Sequence, residues 1–590
     1  MNHQNDSMRM LAKLLFRLLP IQILLAAVGA VNGIVSSFFA SNYVGIDAMS
    51  AVGLFSPIYM LITSISTMLM GGSVILCGKY MGQNQQEKLQ NVFSLDLAVS
   101  SLIAAVFTAA FLVLALFDLN GFMTQNAAVR ALYNRYMLGQ AIGVFPLILG
   151  NQLSAFLSME NKSRQTMIAS LVYIAVNLAL NFLFVQVLHL EAFGLALASS
   201  LGMWVFLAVQ AQCFLAGKAQ LKISVSKLRW RETGEIIRVG LPGALSNIYQ
   251  TARGLIVNLL LELFVGTVGI SAFATADNLL RIFWAVPGAM LAVSRMMISV
   301  SIGEEDRQTL TDVMRVMFRR FLPLMGVISA GIILCAGPLT HLFYRDAADP
   351  VYAMTLWGLR ILPLCMPLSI ICMHFVCYGQ ASGKQGLVHV LSLLDGVVCV
   401  AGFTAILIRL LGMNSVYVAN ILNGIVCALV ILGYSWIKNR RLPRSMDELM
   451  VVPEDFGAPE SERMDLTIRS MEEVVTISQQ VQRFCEEKGI DPRRAYLSGL
   501  AMEEMAGNIV DHGFTKDQKA HSIEARVVHK DDDVILRLKD DCIPFNPSER
   551  QQLAAGDDPV KNIGIRMVFG MAREVQYQNI LGLNVLTIRI

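Results

Sequence analysis

Three short stretches near the C-terminus combine residue types that can handle a nucleotide. In MEEMAGNIVDHGF (502–514), Glu504, Asn508 and His512 recur at every fourth position, which places them on one face of a helix. An amide oxygen beside a carboxylate can hold Mg²⁺, a hard cation that takes oxygen ligands and keeps water and phosphate as the others. The carboxylate can also take a proton from an attacking hydroxyl. Asp540 and Asp541 end a strand-like run just before CIPFNP (542–547), where a carboxylate can accept from an adenine amino group. Asn562-Ile563-Gly564-Ile565 opens a helix, whose free N–H groups favour phosphate.

A second set of candidates lies in apolar surroundings, where an ionisable group is costly and therefore a functional candidate by default. Glu262 sits in LLLELFVG, Asp277 follows soon after, Asp395 interrupts LSLLDGVV, and Asp96 opens an apolar run. Arg253, Arg281, Arg295 and Arg360 are possible partners. A carboxylate facing a wet cavity can bind Na⁺ or a proton, and an organic cation can compete with either. The alternative for Asp96, Glu262 and Asp277, all near span ends, is snorkelling or pairing at the membrane interface. Asp395 is the deepest of the four.

The elements that must position these groups follow from composition. The 590 residues are 55% hydrophobic and 15% charged, against about 25% charged in soluble domains. A net charge of +3 excludes a basic nucleic-acid-binding protein and a disordered chain. The ten cysteines are scattered without C-x-x-C spacing, as small buried hydrophobes would be. Apolar stretches long enough to cross a membrane, roughly 20 residues each, recur up to Ile437 and then stop. They predict spans over 15–40, 51–78, 93–117, 133–158, 165–188 and 193–215, and again over 239–264, 269–300, 319–343, 354–378, 385–410 and 414–437. Twelve helices are expected, because the runs lack the alternation of barrel strands. Lys and Arg concentrate before span one and after the even-numbered spans, so both termini are expected in the cytoplasm.

The two sets of six are related. Gly45 and Gly266 stand 221 positions apart, as do Gly82 and Gly303. The same shift superposes Gly33 on Gly254, Ser50-Ala51 on Ser271-Ala272, and Pro146-Leu147 on Pro367-Leu368. An even number of spans per half makes the repeat parallel, as in two-lobed alternating-access transporters. The segments VGIDAMSAVGLFSPIYML (44–61), VGTVGISAFATADNLLRI (265–282), GLPGALSNIYQTARGL (240–255) and NLALNFLF (177–184) resemble the repeats of the MATE family. That resemblance covers roughly 10–437 and implies a twelve-helix exporter of organic compounds driven by Na⁺ or H⁺. It also shows two departures: Ser36 stands where an acid is common in the first span, and Asn181 replaces the acid of the fifth-span motif beginning at Asn177. Asn32, Asn177 and Asn181 would then line the cavity as neutral polar groups.

Beyond Lys438 the composition turns charged and Pro-containing over 438–464, which reads as a linker. An α+β pattern occupies 465–590: a strand at 465–470, helices at 471–489 and 491–513, a hairpin of 521–529 with 533–541, a helix at 562–573 and two closing strands. Its motifs resemble the GHKL ATP-binding fold, most closely the anti-sigma-factor serine-kinase branch. The resemblance makes Glu504 the general base, Asn508 the Mg²⁺ ligand, Asp540 the adenine-contacting acid, Gly564 a glycine-box residue and 548–561 a short lid. Here too the pattern departs: Asp540-Asp541-Cys542 replaces Asp-x-Gly, and Asn562-Ile563-Gly564 replaces Gly-x-Gly. A docking or regulatory module that has lost its nucleotide is the alternative to ATP binding.

The expected organisation is a cytoplasmic N-terminus (1–14), an N-lobe (15–215), an inter-lobe loop (216–238), a C-lobe (239–437), the linker and the GHKL-like domain. The expected function is cation-coupled export of organic, cationic compounds across the plasma membrane, under control of a domain that binds Mg-ATP. Membrane lipid and a cytoplasmic protein partner of the domain are the other expected partners; nucleic acid is not. Two alternatives stay open: a membrane-tethered anti-sigma-type serine kinase whose bundle is a receptor, and a lipid-linked polysaccharide flippase of the same superfamily.

Overall fold

The computed structural model describes residues 12–13, 15–16, 18–20, 22–24, 39, 46–122, 127–217, 219–224, 228–341, 344, 346, 348–515, 521–530, 532–544, 546–547, 563–580 and 582–590. Asn32, Ser36, Asn562 and the segment 548–561 lie outside them.

The apolar runs form long helices because lipid offers no partner for a bare peptide group. The first lobe contains α1 (Ile46–Gly82), α2 (Gln86–Leu116), α3 (Ala127–Met159), α4 (Ser163–Val187) and α5 (Glu191–Leu215). The second contains α6 (Thr233–Phe264), α7 (Thr267–Gly303), α8 (Arg307–Leu334), α9 (Pro350–Ala381), α10 (Gln385–Leu411) and α11 (Asn414–Asn439). Ten of these described helices are long and apolar enough to cross a membrane, against twelve expected from sequence. Most of span one is outside the described residues. Span seven forms α6, but Asn247, Gln250, Arg253, Asn258 and Glu262 make it too polar to qualify on composition.

Three helices carry a widened turn, at Phe182–Val187 in α4, Met317–Phe321 in α8 and Leu394–Val398 in α10. Such turns leave local backbone groups displaced from the regular ladder and recur at functional positions.

The segment read as a linker is partly ordered. Its short helix α12 (Met446–Met450) is capped by Ser445, which accepts from Glu448 N, and Met450 is buried in the same apolar cluster as the bundle. Lys384, at the turn before α10, donates to Val451 O (2.8 Å) and to the Tyr378 hydroxyl (3.1 Å).

The C-terminal unit is an antiparallel sheet in the order β1-β2-β3-β5-β4, with β1 Arg463–Ile468, β2 Ile523–Lys530, β3 Asp533–Asp540, β4 Glu574–Ile580 and β5 Leu583–Arg589. Strand alternation divides its side chains. Ile523, Ala525, Val527, Leu536, Leu538, Leu586 and Ile588 pack under α13 (Met471–Glu487), α14 (Pro492–Gly513) and α15 (Ile563–Met571) as a separate core. The residues between them, among them Arg526, Arg537, Lys539 and Gln578, face the helix bundle. The β4–β5 turn adds Ile580, Leu583 and Val585 to the bundle's own apolar cluster.

Candidate functional sites

In the second lobe, Asp395 lies on the widened turn of α10. Its Oδ1 accepts from Asn423 Nδ2 on α11 at 2.8 Å. Arg253 on α6 donates to the backbone carbonyl of Asp395 at 3.3 Å. The next residue, Gly396, is pressed against Tyr249 of α6, where a Cβ would lie 2.5 Å from the Tyr249 Cβ. A larger residue at 396 would push α10 off α6, so this glycine fixes how close Asp395 comes to Arg253. Cys372 and Cys427 stand beside the carboxylate; their sulfurs and one Asp395 oxygen lie within 4.8 Å of one another.

The other charged candidates do not join this group. Glu262 is exposed near the end of α6. Asp277 and Arg281 form an exposed pair one turn apart on α7, at 3.4 Å, a geometry that contributes little. Asp96 overturns the interfacial expectation. Helix α2 begins ten residues earlier, at Gln86, so Asp96 is fully buried and its Oδ1 accepts from Ser73 Oγ at 2.7 Å. Hydropathy alone could not show this, because the polar start of α2 hides its true first turn.

In the first lobe Asn177 and Asn181, one turn apart on α4, are both fully buried. Asn181 Nδ2 donates to Asn177 O (2.9 Å) and to Asn177 Oδ1, and Asn177 Nδ2 reaches the Tyr173 hydroxyl at 3.4 Å. The pair is neutral, and Asn181 Oδ1 is a buried acceptor with no hydrogen-bond partner among the described residues. A further buried polar residue, His374 on α9, was not among the sequence candidates. Its Nδ1 sits 2.9 Å from Ile370 O and its Nε2 2.9 Å from Ser294 Oγ, so both nitrogens are engaged in the neutral ring.

In the C-terminal domain, Asn508 donates through Nδ2 to Glu504 O at 2.6 Å, one turn back on α14, which leaves its Oδ1 as an acceptor. The Glu504 carboxylate lies against the start of α15: a Cβ on Gly564 would fall 1.7 Å from Glu504 Oε2. A side chain there would require the Glu504 carboxylate to swing aside. Asp540 is buried, and its Oδ1 accepts from Asn584 Nδ2 (2.7 Å) and from the Cys542 backbone N–H (2.9 Å). Burial pushes its carboxyl above the usual range, against the pull of those two donors.

Asp541 departs from the nucleotide reading. Successive strand residues point to opposite faces, and Asp541 turns to Lys13 (2.8 Å) and His521 (2.7 Å). Burial works upward on its carboxyl, but those two partners outweigh it and hold it below the usual range. Cys542 lines the pocket together with Asn508, His512, Asp540 and Asn584. The space between them is about 30 Å³, enough for a water molecule.

Two repeat-related lobes of membrane helices with an α+β ATPase-type unit on one end define a transporter-fold bundle fused to a nucleotide-type domain. The MatE family model matches residues 23–183 and 242–405, and the model of the histidine kinase-like ATPase domain matches 469–590. The chain belongs to the MatE family and carries that ATPase-type domain behind the bundle. It is 23% identical over 260 residues to a probable multidrug resistance protein NorM of Streptococcus pneumoniae R6, covering 43% of this chain and 56% of the relative. A NorM of Bacillus subtilis 168 is 25% identical, with 43% and 55% covered. The chain thus spans little more than half the length of these relatives. A solved outward-facing MATE multidrug resistance transporter of the MOP superfamily shares the fold, with a TM-score of 0.67 at 21% identity, covering 75% of this chain and 97% of the other.

Proposed function

We propose that this chain is a cation-coupled exporter of small organic, cationic compounds in the plasma membrane, with both termini cytoplasmic, and that its ATPase-type domain regulates export by binding Mg-ATP. The coupling role of Asp395 is supported by its setting: an acid on a widened turn, steadied by Asn423, with Arg253 bonded to its backbone carbonyl. The carboxylate is thereby oriented for Na⁺ or a proton, and an organic cation would compete for the same charge. The first lobe offers the neutral Asn177 and Asn181 and the buried Asp96, which is held by Ser73; Asp395 is preferred for coupling because it stands beside both an amide and an arginine.

In the domain, Asn508 Oδ1 would hold Mg²⁺, Asp540 would meet the adenine amino group and the start of α15 at Gly564 would face phosphate. Glu504 stands where a general base would act. Cys542 borders the space that a base would enter. Pumping energy need not come from this domain: the sequence shows no G-x-x-x-x-G-K-[ST] loop, and regulation is the better reading of its role.

The test is ion-gradient-driven uptake of a labelled organic cation into proteoliposomes, with Asp395→Asn beside the parent. Loss of uptake in a variant that melts normally is expected; unchanged uptake removes Asp395 from the mechanism. The docking of the domain onto the bundle favours one other reading, a receptor whose ligand-driven motion is passed to the domain. Counterflow separates the two, since a receptor binds labelled compound without exchanging it across the vesicle.

A further inference from the structure

The turn after α7 places Glu304 and Glu305 at a helix C-terminus, where the helix dipole disfavours negative charge, and Asp306 at the N-cap of α8, where it accepts from Thr309 N at 2.9 Å. The open face of the sheet has the opposite problem. Arg526 and Arg537 are direct cross-strand partners, with Lys539 two residues on, and like charges directly opposed are unfavourable. The two sets of charges meet: Asp465 on β1 pairs with Arg526 from within the sheet, and the acids of the bundle supply the remaining partners. Lys539 Nζ lies 2.7 Å from Glu304 and 3.1 Å from Asp306, Arg526 pairs with Asp306, and Lys530 lies 2.6 Å from Glu305. The inner pairs are shielded: the side chains of Glu304 and Asp306 are 3% and 2% exposed.

The same domain also grips the first lobe. Gln578 donates to Asn84 in the α1–α2 turn, Gly582 abuts Asn161 in the α3–α4 turn, and Asp541 holds Lys13 ahead of α1. Between these anchors the two lobes meet at the domain end through α1 and α7. A Cβ on Gly303 would fall 2.0 Å from Lys79 O, and one on Gly78 would fall 2.7 Å from the Ser299 Cβ. Parting the lobes at this end would break one set of anchors or the other.

We propose that the open face of the sheet is an ionic clamp that spans the two lobes and holds their domain-side seam shut, so that the bundle opens on that side only when the domain lets go. This rests on the regulatory reading above and names the surface through which regulation would act. Asp541 ties the clamp to the candidate nucleotide pocket, since its chain neighbours Asp540 and Cys542 line that pocket.

The experiment uses the full chain in lipid nanodiscs, with Cys335→Ser to remove the exposed cysteine. Spin labels at Arg164→Cys and Gly386→Cys, both exposed and one on each lobe, report the seam distance by pulsed electron resonance. Hydrogen exchange over 301–309 reports undocking. Lys539→Glu on the domain and Glu304→Lys on the bundle are made separately, so that a folding defect on one side does not decide the matter. Each should raise exchange over 301–309 and increase the ratio of long to short distances by about tenfold or more, within the usual range of site-to-site coupling. Raised exchange with unchanged distances would overturn the clamp, and so would unchanged exchange in both variants. Mg-ATP added to the parent and to Asn508→Ala tests nucleotide control separately. Distances that respond to charge reversal but not to nucleotide would support the clamp while removing the regulatory role of ATP.

Discussion

Gly82 and Gly303, equivalent in the internal repeat and 221 positions apart, meet each other across the seam between the lobes. A Cβ on Gly82 would lie 2.3 Å from Val300 O and 2.9 Å from the Gly303 carbonyl carbon. The repeat thus gave each lobe a glycine at the same helix end, and packing used both to bring α1 and α7 to backbone contact.

Alanine at either position must force the helices apart. Overpacking of this kind costs about 1–3 kcal/mol, so Gly82→Ala and Gly303→Ala are expected to lower the melting temperature of the purified protein. Ser246→Ala on α6, which removes an atom rather than adding one, serves as the control. Equal melting of all three proteins would show that the seam tolerates the extra methyl.

Asp395→Asn keeps size and hydrogen-bonding capacity while removing charge, so uptake driven by an ion gradient should fall at least tenfold, about 1.4 kcal/mol or more in the barrier. Asn423→Ala should have a smaller effect of the same sign, because it frees the carboxylate without neutralising it. A variant series in which Asn423→Ala is the more severe would move the site to the amide.

Lys384 gives the docked linker a pH dependence. Burial lowers its pKa to about 8, with Lys438 adding to the effect. A lysine whose pKa falls on docking is carried there with fewer protons than when free, so docking strengthens as pH rises from about 8 toward the ordinary value of about 10.4. Protection of 446–456 against hydrogen exchange, taken relative to the intrinsic amide rate at each pH, should therefore be greater at pH 9.5 than at pH 7.5, and Lys384→Met should remove the difference. Asp306 behaves in the opposite sense. Burial raises it, but Arg526 and Lys539 outweigh burial and hold it well below the usual carboxylate range. Its contribution is complete above the ordinary value, about 3.9, and is lost only as pH falls through the lowered one, so protection of 301–309 relative to the intrinsic exchange rate should be the same at pH 7 and pH 5. A loss of protection already at pH 5 would mean that the pairs around Asp306 are weaker than their geometry implies.

Helix positions, the parallel repeat and the order of strands and helices in the domain were legible because hydrophobic period and turn residues are local. The boundaries of α14 and of the β2–β3 hairpin fall within two residues of the pattern. What stayed hidden depends on contacts distant in sequence. The widened turn that carries Asp395 has no sequence mark, and Asp96 reads as an edge residue until Ser73 is seen beside it. Met446–Met450 reads as linker because its apolar side chains find partners only on the folded bundle. The partners of Glu304 and Glu305 lie more than two hundred residues away on the sheet, so nothing local in the sequence points to them.

The nucleotide pocket tests whether departures from a motif matter. Cys542 stands where the related fold has glycine, and its sulfur crowds α14: a Cβ on Gly513 would meet it at 3.1 Å. The pocket it borders holds about 30 Å³. Cys542→Gly removes the side chain while keeping the backbone N–H that Asp540 accepts from, and restores the Asp-x-Gly pattern. If the pocket is a nucleotide site narrowed by this residue, calorimetry on the full chain should show Mg-ATP binding several-fold tighter in Cys542→Gly than in the parent. Asn508→Ala should weaken binding in both backgrounds, because it removes the amide oxygen that would reach Mg²⁺. Asp540→Asn should cost adenine nucleotides more than guanine nucleotides, since the acceptor for an exocyclic amino group becomes a mixed amide while phosphate contacts at Gly564 remain. Absence of binding in Cys542→Gly at millimolar nucleotide would mean that more than one side chain closes the pocket. The ionic face of the sheet would then be the domain's working surface, acting on the bundle through docking alone.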